Sequence, residues 1–230
     1  MDKEKFIIDS WKENAKNWIT LLENDGIESR KLATNRAIVD AVCNTKPVSV
    51  LDIGCGEGWL SKELSAKGIE VTGIDVIPEL ISKAREKVSG EFMVASYEDI
   101  SLGNIRFSKL FDVIVINFAL IGKESAENLL SSLPLYLAAE GKLIIQTLHP
   151  FSRKISGDYI SGWKEGSWDG LSGQFIKPYQ WYFRTLEDWL KILGDAGFSK
   201  IKSTDILHPA TAVPISVIFE CNAASLIRLQ

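Results

Sequence analysis

The fold is decided by one stretch, Val50-Leu51-Asp52-Ile53-Gly54-Cys55-Gly56-Glu57-Gly58, in which an apolar run ends in closely spaced glycines. A short apolar run bounded by glycines is typical of a buried strand. Helical spacing of apolar residues begins directly afterwards, from Trp59 to Ala66. The stretch therefore predicts a strand, a tight turn and a helix, which is an arrangement that lets a ligand approach the N–H groups at the start of the helix.

The alternation of apolar runs with helical spacing continues along the chain. It predicts four more strands, Glu70–Ile74, Phe92–Ala95, Phe111–Phe118 and Lys142–Thr147, with one helix that begins at Pro78 and another over Glu124–Leu137. Strands that alternate with helices pair in parallel through right-handed crossovers. We therefore expect an α/β fold, with a doubly wound, Rossmann-like, mostly parallel sheet and helices on both faces.

The alternation stops between His149 and Arg184. Ten of the 22 aromatic residues of the chain lie between Phe151 and Trp189, and the segment also holds five glycines, Gly157, Gly162, Gly166, Gly170 and Gly173. Since aromatic side chains can bury surface, we expect an ordered lid rather than disorder. A helix over Thr185–Ala196 and an antiparallel pair of strands, Lys200–Ile206 and Pro214–Cys221, are predicted to follow.

The length of 230 residues fits one domain. We divide it into an N-terminal helical cap (1–46), a cofactor-binding core (47–148), an aromatic lid for the acceptor (149–184) and a C-terminal helix with two strands (185–230). Within the cap, Trp11, Ala15, Trp18 and Leu22 share one face of a predicted helix.

Charge and composition narrow the class of function. The 26 basic and 30 acidic side chains give a net charge of −4, which is unfavourable for nucleic-acid binding. No apolar run approaches the roughly 20 residues that span a bilayer, so we expect a cytoplasmic protein without a membrane partner. Three cysteines without a Cys-x-x-Cys pair favour neither a disulfide framework nor a zinc site, and we expect no metal.

The glycine turn is unsuited to a dinucleotide. A dinucleotide site has the spacing Gly-x-Gly-x-x-Gly, whereas Trp59 stands where the third glycine would fall. Asp52 and Glu57 also flank the turn, and two carboxylates would repel a pyrophosphate. Asp75 ends the second predicted strand and is placed to accept the hydroxyls of a ribose. A nucleoside with a cationic tail and no phosphate, such as S-adenosylmethionine, fits these residues.

The chain resembles the class I S-adenosylmethionine-dependent methyltransferases. The matching motifs are the glycines at 54, 56 and 58 with Asp52, the acid Asp75, the stretch Ser96-Tyr97-Glu98-Asp99, and Phe111 to Asn117 on the fourth strand. The resemblance implies seven strands with an antiparallel last strand. It also implies a cofactor site made of Asp52, Gly54, Cys55, Gly56, Gly58, Trp59, Asp75, Val76, Ser96, Tyr97, Glu98 and Asn117, with S-adenosylhomocysteine as the product.

Two details of this site stay open. Many members of the family have Asp where Ser96 stands, so the adenine amino group is held either by Ser96 or, in its place, by Tyr97 or Glu98. Three basic residues near the cap, Arg30, Lys31 and Arg36, can meet the carboxylate of the cofactor.

On the acceptor side, His149 follows the fifth strand, either as a general base or as a structural residue before Pro150. The aromatic lid residues Trp163, Trp168, Tyr179, Trp181, Tyr182 and Phe183 either wall an acceptor pocket or form a small core of their own. The stretch Asn117-Phe118-Ala119-Leu120 differs from the Asn-Pro-Pro-Tyr of nucleic-acid methyltransferases, which favours a small-molecule acceptor. The stretch from Trp163 to Phe198, which includes Tyr182-Phe183-Arg184-Thr185-Leu186-Glu187 and Ala196-Gly197-Phe198, resembles an uncharacterised bacterial subgroup of small-molecule methyltransferases.

The leading hypothesis is a methyltransferase that transfers a methyl group to a small molecule by in-line displacement and acts as a monomer or homodimer. Two alternatives remain. One is an NAD-dependent oxidoreductase, and the other is a protein that binds S-adenosylmethionine without catalysis.

Overall fold

The computed structural model describes residues 2–24, 26–152 and 158–224. The α-helices are α1 Lys3–Glu23, α2 Asn35–Cys43, α3 Trp59–Ser65, α4 Pro78–Lys87, α5 Tyr97–Ser101, α6 Glu124–Ser132 and α7 Leu186–Asp195. The strands are β1 Ser49–Ile53, β2 Glu70–Asp75, β3 Glu91–Val94, β4 Phe111–Asn117, β5 Leu137–Leu148, β6 Gly162–Lys164, β7 Trp181–Phe183, β8 Phe198–Leu207 and β9 Pro214–Ala223. Residues 153–157 of the predicted lid, among them Gly157, and residues 225–230 of the predicted C-terminal segment lie outside the described residues.

The main sheet has seven strands in the order β3-β2-β1-β4-β5-β9-β8. The five strands from β3 to β5 pair in parallel, and β9 is antiparallel to both of its neighbours. This confirms the predicted doubly wound sheet with its antiparallel last strand. Because β1 lies between β2 and β4, the carboxyl ends of these three strands meet at one edge of the sheet.

Two apolar layers cover the faces of the sheet. On one face, Phe111 and Ile114 of β4 pack with Leu129 of α6 and Trp189 of α7. On the other face, Val113 and Val115 of the same strand pack with residues of α2 and α3, namely Ile38, Val42, Leu60 and Leu64. Helices on both faces hold β4 at the centre of the sheet, which fixes the position of its carboxyl end.

Local details differ from the sequence-based expectations. The helix predicted over Glu124–Leu137 ends at Ser132, where a 3₁₀ turn that contains Pro134 replaces it. A π-helical turn, Arg30–Thr34, precedes α2, and the short helix α5 follows β3; neither was predicted. The predicted lid contains the hairpin β6–β7.

The lid segment 166–179 packs on α1. Trp168 and Tyr179 are buried together with Ile7, and the Trp11 Nε1 atom donates to the Tyr179 hydroxyl at 3.2 Å. Asn14, which is fully buried on α1, accepts from the N–H of Ile176 at 2.8 Å and donates to the carbonyl of the same residue. The segment is therefore fastened to α1 by backbone hydrogen bonds as well as by apolar contacts.

We expect Asn14→Ala to loosen the lid segment. The change leaves the N–H and the carbonyl of Ile176 without their partner, which costs about 1–3 kcal/mol. Cleavage by a protease within residues 166–179 should then become faster. Asn17→Ala is the matched control, because Asn17 lies on the same helix and makes one exposed hydrogen bond to the carbonyl of Gln174. Equal protection of the segment in both variants would contradict the fastening role of Asn14.

Candidate active site

The turn after β1 is anchored on β2. The N–H groups of Gly54 and Cys55 both donate to the Ile74 carbonyl, at 2.8 and 3.0 Å. Gly58 has φ +83° and precedes the first residue of α3, and a Cβ atom there would lie 2.9 Å from the Ala84 Cβ atom of α4. Only glycine combines this backbone conformation with so close an approach to α4. The turn therefore joins the start of α3 to β2 and α4.

The same turn touches the loop that follows β4. Gly54 has φ +70°, and a Cβ atom there would overlap the Ala119 side chain. The Tyr97 hydroxyl donates to the Ala119 carbonyl at 2.9 Å, and burial raises the pKa of this phenol. Phe118, just before Ala119, has φ +55°, which is rare for a bulky residue. The glycine turn, α5 and the loop after β4 thus meet at one point.

Asp75 lies across from the glycine turn at the end of β2. Its Oδ2 atom accepts from the N–H of Gly56 at 3.0 Å, and its Oδ1 atom accepts from the N–H of Ile77 at 2.9 Å. Burial raises the pKa of this carboxyl to about 6, although both hydrogen bonds act in the opposite direction. Apart from its chain neighbours, no described residue has an atom within 4 Å of where a Cβ on Gly56 would stand. Open space therefore borders the turn next to the Asp75 carboxylate.

Asp52 is the more deeply buried acid of the site, with 1% of its surface exposed. Burial raises its pKa to about 7 despite a hydrogen bond from the Ser61 hydroxyl at 2.7 Å, and the negative charges of Asp75 and Glu57 add to the shift. Neither Asp52 nor Asp75 forms an ion pair with a basic side chain of the described residues. Glu57 differs, because its carboxylate lies 3.5 Å from the ammonium of Lys87. When Asp52 and Asp75 are ionised, their negative charges are therefore not balanced by an ion pair within the described residues.

The predicted adenine-side residues lie next to this turn. The Ser96 hydroxyl caps α5, since it accepts from the N–H of Asp99 at 3.1 Å and donates to the Asp99 carboxylate at 2.6 Å. The Tyr97 hydroxyl is held by Ala119. Glu98 is exposed. Of the three residues that sequence reasoning left open for the adenine amino group, only Glu98 has a polar side chain without such a structural bond.

The other predicted cofactor residues surround the turn. The Cys55 side chain packs among Ile81, Ala84, Val88 and Phe92, so its thiol is a filler of the core, and only its backbone is available to a ligand. Val76 lies beside Ala15 of α1. Trp59 faces a groove of about 280 Å³ that Arg30 and Lys31 also line, with the Arg30 guanidinium 4.7 Å from the Trp59 ring centre.

Asn117, at the end of β4, belongs to a buried polar group. Its Oδ1 atom accepts from the Gln146 Nε2 atom at 2.9 Å, and the same Nε2 atom donates to the Thr34 carbonyl at 3.2 Å. Gln146 was not predicted as a site residue. A signal was present in the sequence, because Gln146 interrupts the apolar run Leu143-Ile144-Ile145 of a buried strand.

His149 lies on the far side of this group, at the end of β5. Its Nδ1 atom accepts from the N–H of Phe151 at 3.1 Å, and its Nε2 atom lies 3.1 Å from the Asp205 carboxylate. Both ring nitrogens therefore have partners within the protein. These contacts support a structural role for His149, and its role as a general base stays a prediction.

The aromatic lid divides into two sets. Trp168, Tyr179 and Phe183 are buried, and the first two form a small core with α1. Trp163, Trp181 and Tyr182 are half-buried at its edge. The core interpretation therefore holds for at least Trp168 and Tyr179, while the half-buried set keeps surface that a ligand can reach.

Part of the chain matches methyltransferases in comparisons with known proteins. Residues 50–141 match a family model described as a methyltransferase domain. Over 140 residues the chain is 26% identical to the ubiquinone biosynthesis O-methyltransferases of Rickettsia canadensis and of Rickettsia conorii. The aligned part is 59% of this chain in both cases and 59% and 48% of those two proteins, so the chain spans roughly half of the curated relatives that it matches.

Solved structures share the fold over nearly the whole chain. The 1,6-didemethyltoxoflavin-N1-methyltransferase of Burkholderia thailandensis has a TM-score of 0.67 at 16% identity, over 96% of this chain and 88% of that one. The magnesium protoporphyrin IX methyltransferase of Synechocystis PCC 6803 has a TM-score of 0.66 at 18% identity, over 97% and 100%. Both were crystallised with S-adenosylhomocysteine. At these identities the likeness shows the fold, and it agrees with the family resemblance stated from the motifs.

We expect Asp52→Asn to stabilise the protein at high pH. Because the pKa of Asp52 is raised to about 7 in the folded state, ionisation of this acid destabilises the fold as the pH rises from about 4 through 7. Each unit of such a shift corresponds to about 1.4 kcal/mol. The free energy of unfolding by urea should therefore be higher for Asp52→Asn than for the wild type at pH 8, and the difference should shrink at pH 5. The exposed Asp40→Asn is the control, and a difference that does not depend on pH would contradict the assignment.

Proposed function

We propose that this chain is a member of the class I S-adenosylmethionine-dependent methyltransferase family and transfers a methyl group from S-adenosylmethionine to a small-molecule acceptor. The observation that carries the proposal is the pairing of Asp75 with the open glycine turn. Asp75 presents a carboxylate with a raised pKa next to the Gly56 N–H, and the second acid, Asp52, lies buried close by without a basic partner. A ligand with ribose hydroxyls and positive charge satisfies both acids.

The described residues fit the cofactor part by part. Asp75 would accept the ribose hydroxyls, Val76 and Glu98 would contact the adenine, and the backbone of Gly54 and Gly56 would meet the methionine end. Arg30, which lies beside the Trp59 ring, would pair with the carboxylate of the cofactor. When bound, S-adenosylmethionine supplies a methyl group on a sulfonium, so the protein has to position the acceptor in line and exclude water.

An NAD-dependent oxidoreductase fits the same residues poorly. A pyrophosphate would bring further negative charge to a turn where the pKa of Asp52 and of Asp75 is already raised. A protein that binds S-adenosylmethionine without catalysis would have the same cofactor site as the proposed enzyme. It would differ only in that it transfers no methyl group.

Isothermal titration calorimetry with S-adenosylmethionine, S-adenosylhomocysteine and NAD tests the proposal. We expect the first two to bind and NAD not to bind. Binding of NAD in the absence of binding by the other two would overturn the proposal. Transfer of a labelled methyl group to members of a small-molecule library then separates the enzyme from the binder.

The acceptor site is proposed at the carboxyl ends of β4 and β5. Asn117 and Phe118 follow β4, His149 follows β5, and the half-buried lid residues Trp163 and Tyr182 contribute aromatic surface. The relatives are named for an O-methyl transfer and the structural neighbours include an N-methyltransferase, so the acceptor atom is not assigned. The net charge of −4 supports a small molecule rather than a nucleic acid.

We expect Asp75→Ala to weaken the binding of S-adenosylhomocysteine by about 1–3 kcal/mol, because charge-assisted hydrogen bonds to the ribose are lost. Calorimetry against Glu79→Ala, an exposed acid in the first turn of α4, measures the effect. An unchanged dissociation constant would refute the ribose role.

The affinity of the wild type should also depend on pH. Since the pKa of Asp75 is raised to about 6, protonation below that pH removes the negative charge that strengthens its hydrogen bonds from the ribose hydroxyls. Binding should weaken from pH 7 to pH 5 more strongly in the wild type than in Asp75→Asn, in which Asp52 still titrates in this range.

For His149→Ala, a catalytic base predicts a loss of turnover with an unchanged cofactor affinity. The structural role predicts a lower melting temperature instead, because the contacts to Phe151 and Asp205 are lost. A thermal melt and a methyl-transfer assay on the same preparation separate the two. Equal turnover in the variant and the wild type would leave His149 as a structural residue.

A further inference from the structure

Helix α1 lies across the crevice in which the proposed cofactor would bind. Its first turn contacts the start of α6, just after the loop that follows β4, through Glu4. Its middle packs on Ile77 and Leu80, just after the end of β2, through Ala15 and Trp18. Since β1 lies between β4 and β2 in the sheet, α1 passes the end of β1 and its glycine turn. At 21 residues the helix is about 30 Å long, which is ample for this distance.

The two ends of α1 are held differently. The C-terminal half has apolar contacts with α4 and an ion pair from Glu23 to Lys83 at 3.1 Å. In the N-terminal turn, the hydrogen bonds to the α6 side come from one carboxylate. Lys3 also lies 4.9 Å from the Trp163 ring centre, and Phe6 packs against the same apolar cluster as Ile121. Glu4 accepts from the N–H of Lys123 at 2.7 Å and from the Ser125 hydroxyl at 2.6 Å.

The receiving site at α6 is built for this carboxylate. The N–H of Lys123 lies at the N-terminal end of α6, where a negative charge is favourable. Gly122, just before it, leaves the space that the Glu4 carboxylate fills, because a Cβ atom on Gly122 would overlap that carboxylate.

The loop that receives Glu4 is fixed from the other side as well. Arg184, which is buried, donates to the carbonyls of Gly122 and Lys123, both at 3.0 Å. The N–H of Tyr182 donates to the Ile121 carbonyl at 2.8 Å. The loop is therefore a firm anchor for the two hydrogen bonds of Glu4.

We propose that Glu4 is a positioning residue that latches α1 over the cofactor crevice and thereby sets how fast the cofactor leaves. The inference rests on the proposed function, because it needs a cofactor under α1. With the latch closed, α1 covers the end of β1 and blocks exit past Gly56. With the latch open, the N-terminal turn of α1 separates from α6 while the apolar contacts with α4 keep the helix attached.

The test uses stopped-flow fluorescence of the tryptophans during displacement of S-adenosylhomocysteine from the full chain. We expect Glu4→Ala to raise the dissociation rate at least fivefold. Gly122→Ala should do the same from the opposite side of the contact, because the added methyl group takes the place of the carboxylate. Ser125→Ala removes one of two bonds and should have an intermediate effect. Glu4→Ala and Ser125→Ala combined should be no faster than Glu4→Ala alone, since both act on one latch.

Glu13→Ala is the matched control. Glu13 lies on the same helix and pairs with Lys177 of the lid at 2.7 Å, away from α6. It should leave the dissociation rate unchanged even if the melting temperature falls as much as in Glu4→Ala. The inference is overturned if S-adenosylhomocysteine binds to both Glu4→Ala and Gly122→Ala but dissociates from them at the wild-type rate. Failure of the wild type to bind S-adenosylhomocysteine would instead overturn the proposed function.

Discussion

The contact between Gly54 and Ala119 is the constraint on which the rest of the site depends. Because Gly54 has no side chain, the loop after β4 can pack directly on the turn after β1. That approach fixes the Ala119 carbonyl, which in turn holds the Tyr97 hydroxyl of α5. Three loops from three strands are thus tied together at the carboxyl edge of the sheet, and the crevice has a rigid floor before any ligand binds.

The floor of the crevice also holds two acids whose ionised forms are unfavourable there. Asp52 and Asp75 are held close together in a buried place, and the pKa of each is raised. Their ionised forms are therefore destabilised in the free protein. A ligand with positive charge and hydroxyl donors recovers part of that free energy, whereas a ligand with phosphates adds to it. The same burial that lowers stability at neutral pH therefore favours one class of nucleoside over another.

Local patterns in the sequence were sufficient for the sheet and for the position of the glycine turn and of Asp75 at its carboxyl edge. The strand, turn and helix around Asp52 and the acid at Asp75 depend on neighbours within a few residues, which spacing reveals. The Glu4 contact with Lys123 joins residues 119 positions apart, and nothing in the sequence near either one indicates the other. The π-helical turn before α2 also escaped prediction, because it has no apolar period of its own. Gln146 is intermediate, since a polar residue in a buried strand is visible in the sequence but its partner Asn117 is not.

Some of the aromatic residues that cluster in the lid segment are explained by their packing on α1. Trp168 and Tyr179 pack on the outer side of α1, and Asn14 fastens the same segment by its backbone. The inner side of α1 packs with Val76 and Ile77, which follow Asp75 in the chain. The lid segment therefore braces α1 from outside while Glu4 fastens its first turn to α6. Because the packing of Ile7 and Ala15 keeps the body of the helix in place, the two hydrogen bonds of Glu4 act chiefly on its first turn.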